Sequence, residues 1–204
     1  MIEFAISVID QIGLIGAALI IAIEVVIPPI PSEAILLLTG FNVALGRFGF
    51  VEAIVATTIG SLIGASLLYL LGRVFTQERL EQMVQKWGKY VGLHLKDLKK
   101  TLTWFERHGA LLVLFGRMFP IVRSLVSIPA GLVKMGIAKF YIFSTIGIVI
   151  WNTLWITIGM NLGENWAQGE EFAQILDYVV YAVVAVVGIY ILYNLAKALL
   201  NKRQ

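Results

Sequence analysis

Residues 110–136, ALLVLFGRMFPIVRSLVSIPAGLVKMG, form an apolar stretch that helix breakers and two charges, Arg117 and Arg123, interrupt. The predicted breaks fall at Pro120, Pro129 and Gly131. An interior proline removes a helix hydrogen bond, so we expect two short helices, each well below the roughly 20 residues that cross a bilayer. Broken backbone is tolerated at membrane depth only where protein or a wet cavity surrounds it. The stretch therefore predicts a re-entrant hairpin.

A second stretch of the same kind covers residues 28–46, PPIPSEAILLLTGFNVALG. Its breaks are predicted at Pro28, Pro29, Pro31 and Gly40. After the prolines about 13 apolar or small residues remain, too few for a span of roughly 20. We therefore expect another re-entrant hairpin, with Glu33 at the start of its helix.

The composition places the chain in a lipid bilayer. Of its 204 residues, 59% are hydrophobic and 14% are charged, and the mean hydropathy is +0.86, whereas soluble domains carry about 25% charged residues. Without cysteine there is no disulfide or thiolate metal site, and two histidines alone do not hold a metal. We therefore expect no metal and no cofactor. We also expect no nucleic-acid partner, because the basic residues lie beside apolar spans, where they suit lipid headgroups.

Four apolar runs are long enough to cross about 30 Å of hydrocarbon. They cover residues 5–27, 51–72, 137–160 and 178–200. The predicted fold is therefore an all-α polytopic membrane protein with a single membrane domain over residues 1–204. In this fold each re-entrant hairpin is followed by a transmembrane helix.

The charges of the loops predict the orientation. Residues 73–108 hold eight of the sixteen basic residues, whereas residues 161–177 hold four acids and no lysine or arginine. By the positive-inside rule, the first segment is cytoplasmic and the second external. Four crossings then put both termini in the cytoplasm, and the two hairpins enter from opposite faces. Apolar residues recur at helical spacing in 73–108, which predicts one or two amphipathic helices lying on lipid or packed under the bundle.

The two halves of the chain resemble each other. Gly40 matches Gly131 at an offset of 91 residues, and Gly72 matches Gly159 at an offset of 87. Because the intervening topology turns the second half over, this pattern indicates the inverted repeat of secondary transporters. Such proteins bind substrate near the bilayer midplane at discontinuous helices.

Four ionisable residues lie at membrane depth, Glu24, Glu33, Arg117 and Arg123, and each costs about 2.5–3.5 kcal/mol at a helix centre. In an unbroken helix the two arginines would point about 120° apart. The break at Pro120 lets them converge, and two guanidinium forks suit a phosphate. Glu24 and Glu33 are predicted to exchange protons and gate the site. Two alternatives stay open: the four charges only pair with one another, or Glu33 only caps its helix.

Trp151 and Asn152 lie in the middle of the span 137–160. They are candidates for lining a lipid-facing groove, and aromatic core packing is the alternative. Asn152 is the more suggestive of the two.

Three blocks of sequence carry a resemblance to a known family. They are EVVIPPIPSE at 24–33, GSLIGASLLYLLGR at 60–73 and FERHGALLVLFGRMFPIVRSLVSIPAGLVKMGIAKF at 105–140. Together they resemble the bacterial DedA proteins, members of the SNARE-associated or VTT-domain group. The resemblance implies a multi-pass protein of the bacterial cytoplasmic membrane that transports lipid, since members are linked to undecaprenyl phosphate, phosphatidylethanolamine or the proton-motive force.

The resemblance also implies site residues. Glu33, Arg117 and Arg123 fall on positions that the family's motif treats as functional. Some members carry a further acid where this chain has Leu45, which leaves Glu24 as the candidate for proton coupling.

The predicted function is that of a flippase that moves undecaprenyl phosphate or a similar anionic lipid between leaflets, coupled to protons. Arg117 and Arg123 bind the phosphate, and the partners are the anionic lipid, membrane lipids and protons. An enzyme is not expected, because no nucleophile–base pair or metal-ligand cluster lies at membrane depth. The alternatives are a proton-coupled antiporter of small cations or drugs, a phosphatidylethanolamine flippase or scramblase, and a membrane scaffold that transports nothing.

Overall fold

The computed structural model describes residues 2–26, 32–75, 77–91 and 95–162, and this part of the chain is all-helical. Its helices are α1 (Ile2–Val26), α2 (Ser32–Ala44), α3 (Phe50–Val74), α4 (Gln77–Val91), α5 (Leu95–Gly116), α6 (Pro120–Leu125), α7 (Ser127–Leu132) and α8 (Ile137–Asn161). The all-α class is confirmed. Pro28, Pro29 and Pro31, residues 163–177 of the segment predicted to be external, and the predicted span 178–200 lie outside the described residues.

Helices α3 and α8 coincide with the predicted spans 51–72 and 137–160. Each has 25 residues and is long and apolar enough to cross a membrane. Along α3 the side chains at every fourth position, from Val55 through Ile59 and Ile63 to Leu67, are about half exposed. A continuous apolar stripe on the outside of a helix is favourable when hydrocarbon surrounds it.

The first predicted span, 5–27, is not one straight helix. Gly13 has φ 62° and ψ −140°, which kinks α1 and leaves Gln11–Val26 as a shorter apolar helix. Glycine tolerates this positive φ because it has no Cβ.

The break predicted at Gly40 is wrong, because α2 runs unbroken from Ser32 to Ala44. A Cβ at Gly40 would lie 2.1 Å from the carbonyl oxygen of Ile156 in α8. The residue is therefore small because two helix backbones touch there, and the roughly 1 kcal/mol that glycine costs within a helix does not interrupt it.

The second hairpin breaks in one of the predicted places. The chain leaves helical geometry at residues 117–119, and Pro120 begins α6, where its missing N–H is not needed. The turn predicted at Pro129 and Gly131 is wrong, since both lie within α7. Pro129 fits there because it is the third residue of that helix, whose early N–H groups have no intrahelical acceptor. The chain turns after α7, where Lys134 has φ 51°.

The segment predicted to be amphipathic, 73–108, forms α4 and the first part of α5. Helix α5 continues to Gly116 with a kink at His108, whose φ is −127° and ψ is 15°. The amphipathic segment and the second hairpin are therefore joined by a bent helix, and no loop separates them. The apolar face of the amphipathic segment is buried at Val84, Leu102 and Phe105.

The short helices α2 and α7, which lie in the two stretches predicted to be hairpins, each pack on the long helix of the other half of the chain. A Cβ at Gly159 of α8 would lie 2.2 Å from the carbonyl oxygen of Leu37 in α2, and one at Gly72 of α3 would lie 2.3 Å from that of Ile128 in α7. The glycine pairs that match in sequence thus make equivalent backbone contacts, α2 on α8 and α7 on α3. These contacts hold the short helices α2 and α7 against the long helices α8 and α3.

Candidate functional site: a buried arginine pair

The break between α5 and α6 buries two arginines. Arg117 lies in the non-helical turn after α5 and is 3% exposed, and Arg123 lies on α6 and is 6% exposed. Glu24, near the end of α1, is 5% exposed. An Nη of Arg123 donates to Oε2 of Glu24 at 2.5 Å, which joins the two halves of the chain through an ion pair.

Arg117 is held by neutral groups. One Nη donates to the backbone oxygen of Arg123 at 2.5 Å, and the other donates to the hydroxyls of Ser127 at 2.8 Å and Ser144 at 3.2 Å. The Arg123 carbonyl is free to accept because it lies near the end of α6, where carbonyls lack intrahelical donors. Among the described residues no carboxylate pairs with Arg117. Its Nε is buried and has no acceptor there.

Room for Arg117 depends on a glycine in α8. A Cβ at Gly147 would lie 2.8 Å from the Cβ of Arg117. The guanidinium carbon lies 5.8 Å from the centroid of the Phe140 ring, within cation–π range. Both residues belong to α8, so that helix shapes the space in which Arg117 lies.

Both arginines line one small cavity. Its walls are Val25, Ser61, Arg117, Arg123, Ile148, Trp151 and Asn152. Its volume is about 10 Å³, which is room for about one water molecule. A phosphate group, with five heavy atoms, requires the surrounding helices to move apart.

The side chains that line this cavity carry positive charge and no negative charge. Outside the lining, the Glu24 carboxylate pairs with one of the two arginines, Arg123. Such an arrangement attracts an anion into a region of low dielectric constant, where charge interactions are strong.

Glu33 lies close enough to Glu24 for the two carboxylates to repel each other, but it does not line the cavity and forms no ion pair with either arginine among the described residues. It is 8% exposed at the first turn of α2, and its Oε2 accepts a hydrogen bond from the Ser32 hydroxyl at 3.4 Å. Its Oε1 has no hydrogen-bond partner within the described part of the chain. Of the four costly charges, two line the cavity, Glu24 pairs with one of them, and Glu33 lies near Glu24 at the start of α2.

Trp151 and Asn152, the candidates for a groove, both line the cavity. The Asn152 amide donates to the hydroxyls of Thr57 at 3.2 Å and Thr58 at 3.4 Å, so it ties α8 to α3. The Trp151 ring packs edge-on against Trp155 with centroids 5.8 Å apart. The Nε1 atoms of both tryptophans are buried without an acceptor among the described residues.

Sequence reasoning missed the serines that hold Arg117 and the serine that lines the cavity. Ser127, Ser144 and Ser61 are buried, but in the sequence they resemble the small residues that let membrane helices approach closely. Their positions were the available signal. Ser127 follows the second break, and Ser61 and Ser144 lie in the two long helices α3 and α8.

A larger cleft of about 430 Å³ lies beside the second hairpin. Its walls are Trp104, Phe105, His108, Leu111, Leu112, Phe115, Gly116, Phe119, Val122 and Val126. No arginine or lysine is among these residues, so the cleft lacks the guanidinium pair that the smaller cavity offers an anionic headgroup. Over residues 2–26, 32–75, 77–91 and 95–162, no group of three or more His, Cys, Asp or Glu side chains is placed to hold a metal ion.

Comparison with known proteins identifies relatives of this chain. The VTT domain matches residues 30–161. Undecaprenyl phosphate transporter A of Staphylococcus aureus is 31% identical over 182 residues, covering 89% of this chain and 90% of the relative. The protein of the same name from Bacillus subtilis is 35% identical over 153 residues, covering 75% of each chain.

Another relative carries a different name. A protein of Lactococcus lactis subsp. cremoris called alkaline phosphatase-like is 42% identical over 190 residues, covering 93% of this chain and 87% of that protein. No solved structure matches the fold.

Proposed function

This chain belongs to the VTT domain family, the family of the DedA proteins, and from that premise we propose that it moves an anionic lipid between the leaflets of the bacterial cytoplasmic membrane. The proposed substrate is undecaprenyl phosphate or a similar lipid phosphate. Relatives at 31% and 35% identity are named as transporters of undecaprenyl phosphate, and the all-helical fold with two candidate membrane spans agrees with a membrane protein.

The environment of Arg117 is the observation that carries the proposal. A buried charge without a counter-ion is expensive, and charges inside membranes are generally paired or functional. Arg117 has no carboxylate partner in the described ranges, and its Nε is unpartnered. A phosphate bound beside Arg123 would supply the missing negative charge and accept from both guanidinium forks.

The proposed topology has four crossings, two hairpins that enter from opposite faces, and both termini in the cytoplasm. The short helices support this proposal. Helix α2 has 13 residues and α6 and α7 have six each, whereas a crossing takes about 20. The equivalent packing of α2 on α8 and α7 on α3 supports an inverted repeat.

In the proposed mechanism Glu24 and the lipid phosphate compete for Arg123. While Glu24 is ionised, its ion pair with Arg123 closes the site. Protonation of Glu24 releases Arg123 to the phosphate, and deprotonation restores the pair and expels the headgroup. Glu33 is the second proposed proton carrier, since it is buried and one of its oxygens has no partner within the described residues.

The cavity of about 10 Å³ represents a closed state. The two hairpins are the proposed gates, because their helices end in breaks and their movement would open the cavity towards one leaflet at a time. The hydrocarbon tail remains in the lipid, so the protein carries only the headgroup through the bilayer.

Reconstituted liposomes test the proposal. A labelled lipid phosphomonoester should exchange between leaflets much faster with the protein than without it. Replacing Arg117 by glutamine should lower that rate at least about tenfold, equivalent to about 1.4 kcal/mol. Arg107, an exposed arginine of α5, is the matched control, and R107Q should leave the rate unchanged. Exchange that survives R117Q would contradict the phosphate site.

Two further assays distinguish lipid transport from the competing functions. A transporter releases no inorganic phosphate from the labelled lipid, whereas an enzyme of the phosphatase type does. An antiporter would respond to added cations under a pH gradient and lose that response in E33Q while lipid exchange is untouched. Phosphate release, or a cation response without any protein-dependent lipid exchange, would replace the lipid-transport proposal.

A further inference from the structure

Two unused hydrogen-bond donors lie at the cavity between the arginines. The Nε of Arg117 and the Nε1 of Trp151 are both buried, and neither has an acceptor within the described residues. Arg117 and Trp151 both line the cavity. Buried donors without acceptors are rare in native proteins, and each one calls for an explanation.

The neighbouring polar groups do not supply the acceptor. The side-chain amide nitrogen of Asn152 is itself a donor, to two threonine hydroxyls of α3, and Oε2 of Glu24 already accepts from Arg123. The lining residues that carry these donors come from three separate elements. They are Arg117 from the break after α5, Arg123 from α6 and Trp151 from α8.

We propose that Trp151 donates its indole N–H to the lipid headgroup as a third donor beside Arg117 and Arg123, and thereby selects a phosphomonoester over a phosphodiester. This inference rests on the proposed function. A phosphomonoester presents three terminal oxygens and a charge that approaches −2 near pH 7. A phosphodiester carries a single negative charge and two terminal oxygens, so it compensates the two guanidinium groups less well and offers the three donors fewer acceptor sites.

The charges around the cavity favour the same choice. Both charged residues that line it are arginines, and the nearby Glu24 carboxylate is already paired with one of them. A zwitterionic phosphodiester would bring an ammonium group close to two guanidinium groups, and like charges repel strongly where water is excluded. The site therefore suits a lipid that ends in a bare phosphate.

The structure provides a matched control for Trp151. Trp155 lies one helical turn further along α8, contacts Trp151 edge-on, and also has a buried Nε1 without an acceptor in the described chain. Trp155 does not line the cavity. Phenylalanine at either position removes the N–H and keeps an aromatic ring, so the two variants differ chiefly in whether the lost donor adjoins the cavity.

The test measures the affinity of the purified full-length protein for an isoprenyl phosphate and for a phosphodiester with the same tail. W151F should weaken binding of the monoester about tenfold, equivalent to about 1.4 kcal/mol, and should leave the weak binding of the diester unchanged. W155F should change neither affinity. Equal thermal midpoints of the two variants would show that both are folded.

A second measurement does not depend on a variant. In a ¹⁵N–¹H spectrum of the tryptophan-labelled protein, the indole signal of Trp151 should move on addition of the isoprenyl phosphate, as it does when an N–H gains an acceptor. The signal of Trp155 should stay in place.

The outcomes separate this inference from the proposed function. If R117Q abolishes binding of the monoester while W151F binds it as tightly as the unaltered protein, Trp151 is no donor and the lipid site stands. Equal weakening by W151F and W155F would indicate packing and overturn the inference. If the unaltered protein binds no isoprenyl phosphate, both proposals fail.

Discussion

Replacing Glu24 by glutamine removes the carboxylate that neutralises Arg123. The two side chains are 7% and 8% exposed and their charged atoms are 2.5 Å apart. Two unit charges about 4 Å apart attract each other by roughly 4 kcal/mol at an effective dielectric constant of 20. Removing one partner of a buried pair costs about 3–5 kcal/mol, because the other charge stays buried without compensation.

We expect E24Q to fall at the lower end of that range, since its amide oxygen still accepts one hydrogen bond from Arg123. For a chain of this size about 1 kcal/mol shifts the thermal midpoint by roughly 2–4 °C, so a loss of about 3 kcal/mol lowers it by roughly 6–12 °C. R123Q should cost a similar amount. The double variant should cost clearly less than the two single losses added together, because it leaves no unpaired charge.

The assay is thermal unfolding of the purified protein in detergent, with and without an isoprenyl phosphate. The lipid should raise the midpoint of E24Q more than that of the unaltered protein, since Arg123 no longer has to leave Glu24 to bind it. Glu106, an exposed acid of α5, is the control, and E106Q should leave the midpoint unchanged. A midpoint of E24Q within about 1 °C of the unaltered protein, or strictly additive losses in the double variant, would refute the reasoning.

Three further predictions follow from the packing and the topology. G131A should destabilise the protein by about 1–3 kcal/mol, because its Cβ would lie 2.1 Å from a backbone carbonyl of α3, whereas G136A points into open space and should unfold as the unaltered protein does. S127A removes a 2.8 Å hydrogen bond to Arg117, so affinity for an isoprenyl phosphate should drop about tenfold; unchanged affinity would mean that this serine does not position the guanidinium. A cysteine introduced within 161–177 should react with an impermeant reagent from outside the cell, and protection there would invert the proposed orientation.

The long helices and the charged break follow directly from the sequence. Helices α3 and α8 are uninterrupted apolar runs, whose length and composition leave few alternatives in a bilayer. Pro120 locates the start of α6 because proline fits the first position of a helix and disrupts its interior. Arg117 and Arg123 lie on either side of that break, within an apolar stretch. Because a charged side chain at membrane depth is energetically costly, the sequence alone marks these two arginines as candidates for function.

The glycines show why the rest could not be predicted. Glycine can end a helix or let two helices touch, and the sequence alone does not distinguish these uses. Gly40 and Gly131 do the second, since each lies within a helix against a carbonyl of another. The unbroken helices over these positions therefore depend on the partners α8 and α3, which only the tertiary structure identifies.

The sequence also did not predict which acidic residue pairs with which arginine. Glu24 and Glu33 lie on either side of the first proline cluster, but of the two only Glu24 forms an ion pair with an arginine among the described residues. Arg117 depends on Ser127 and Ser144, one of which lies on another long helix, 27 positions away in the chain. Such contacts depend on how separate helices cross, and local sequence patterns carry no such information.

Contact of Arg117 and Arg123 with the phosphate of the lipid can be observed by solid-state NMR. The protein would carry ¹⁵N in its arginine side chains and be placed in a bilayer of phosphorus-free glycolipid that contains an isoprenyl phosphate. Dipolar coupling between ¹⁵N and ³¹P should then be observed, and it should disappear when both arginines are replaced by lysine, while R107K retains it. Coupling that persists unchanged in the double lysine variant would show that the phosphate lies elsewhere and contradict the account.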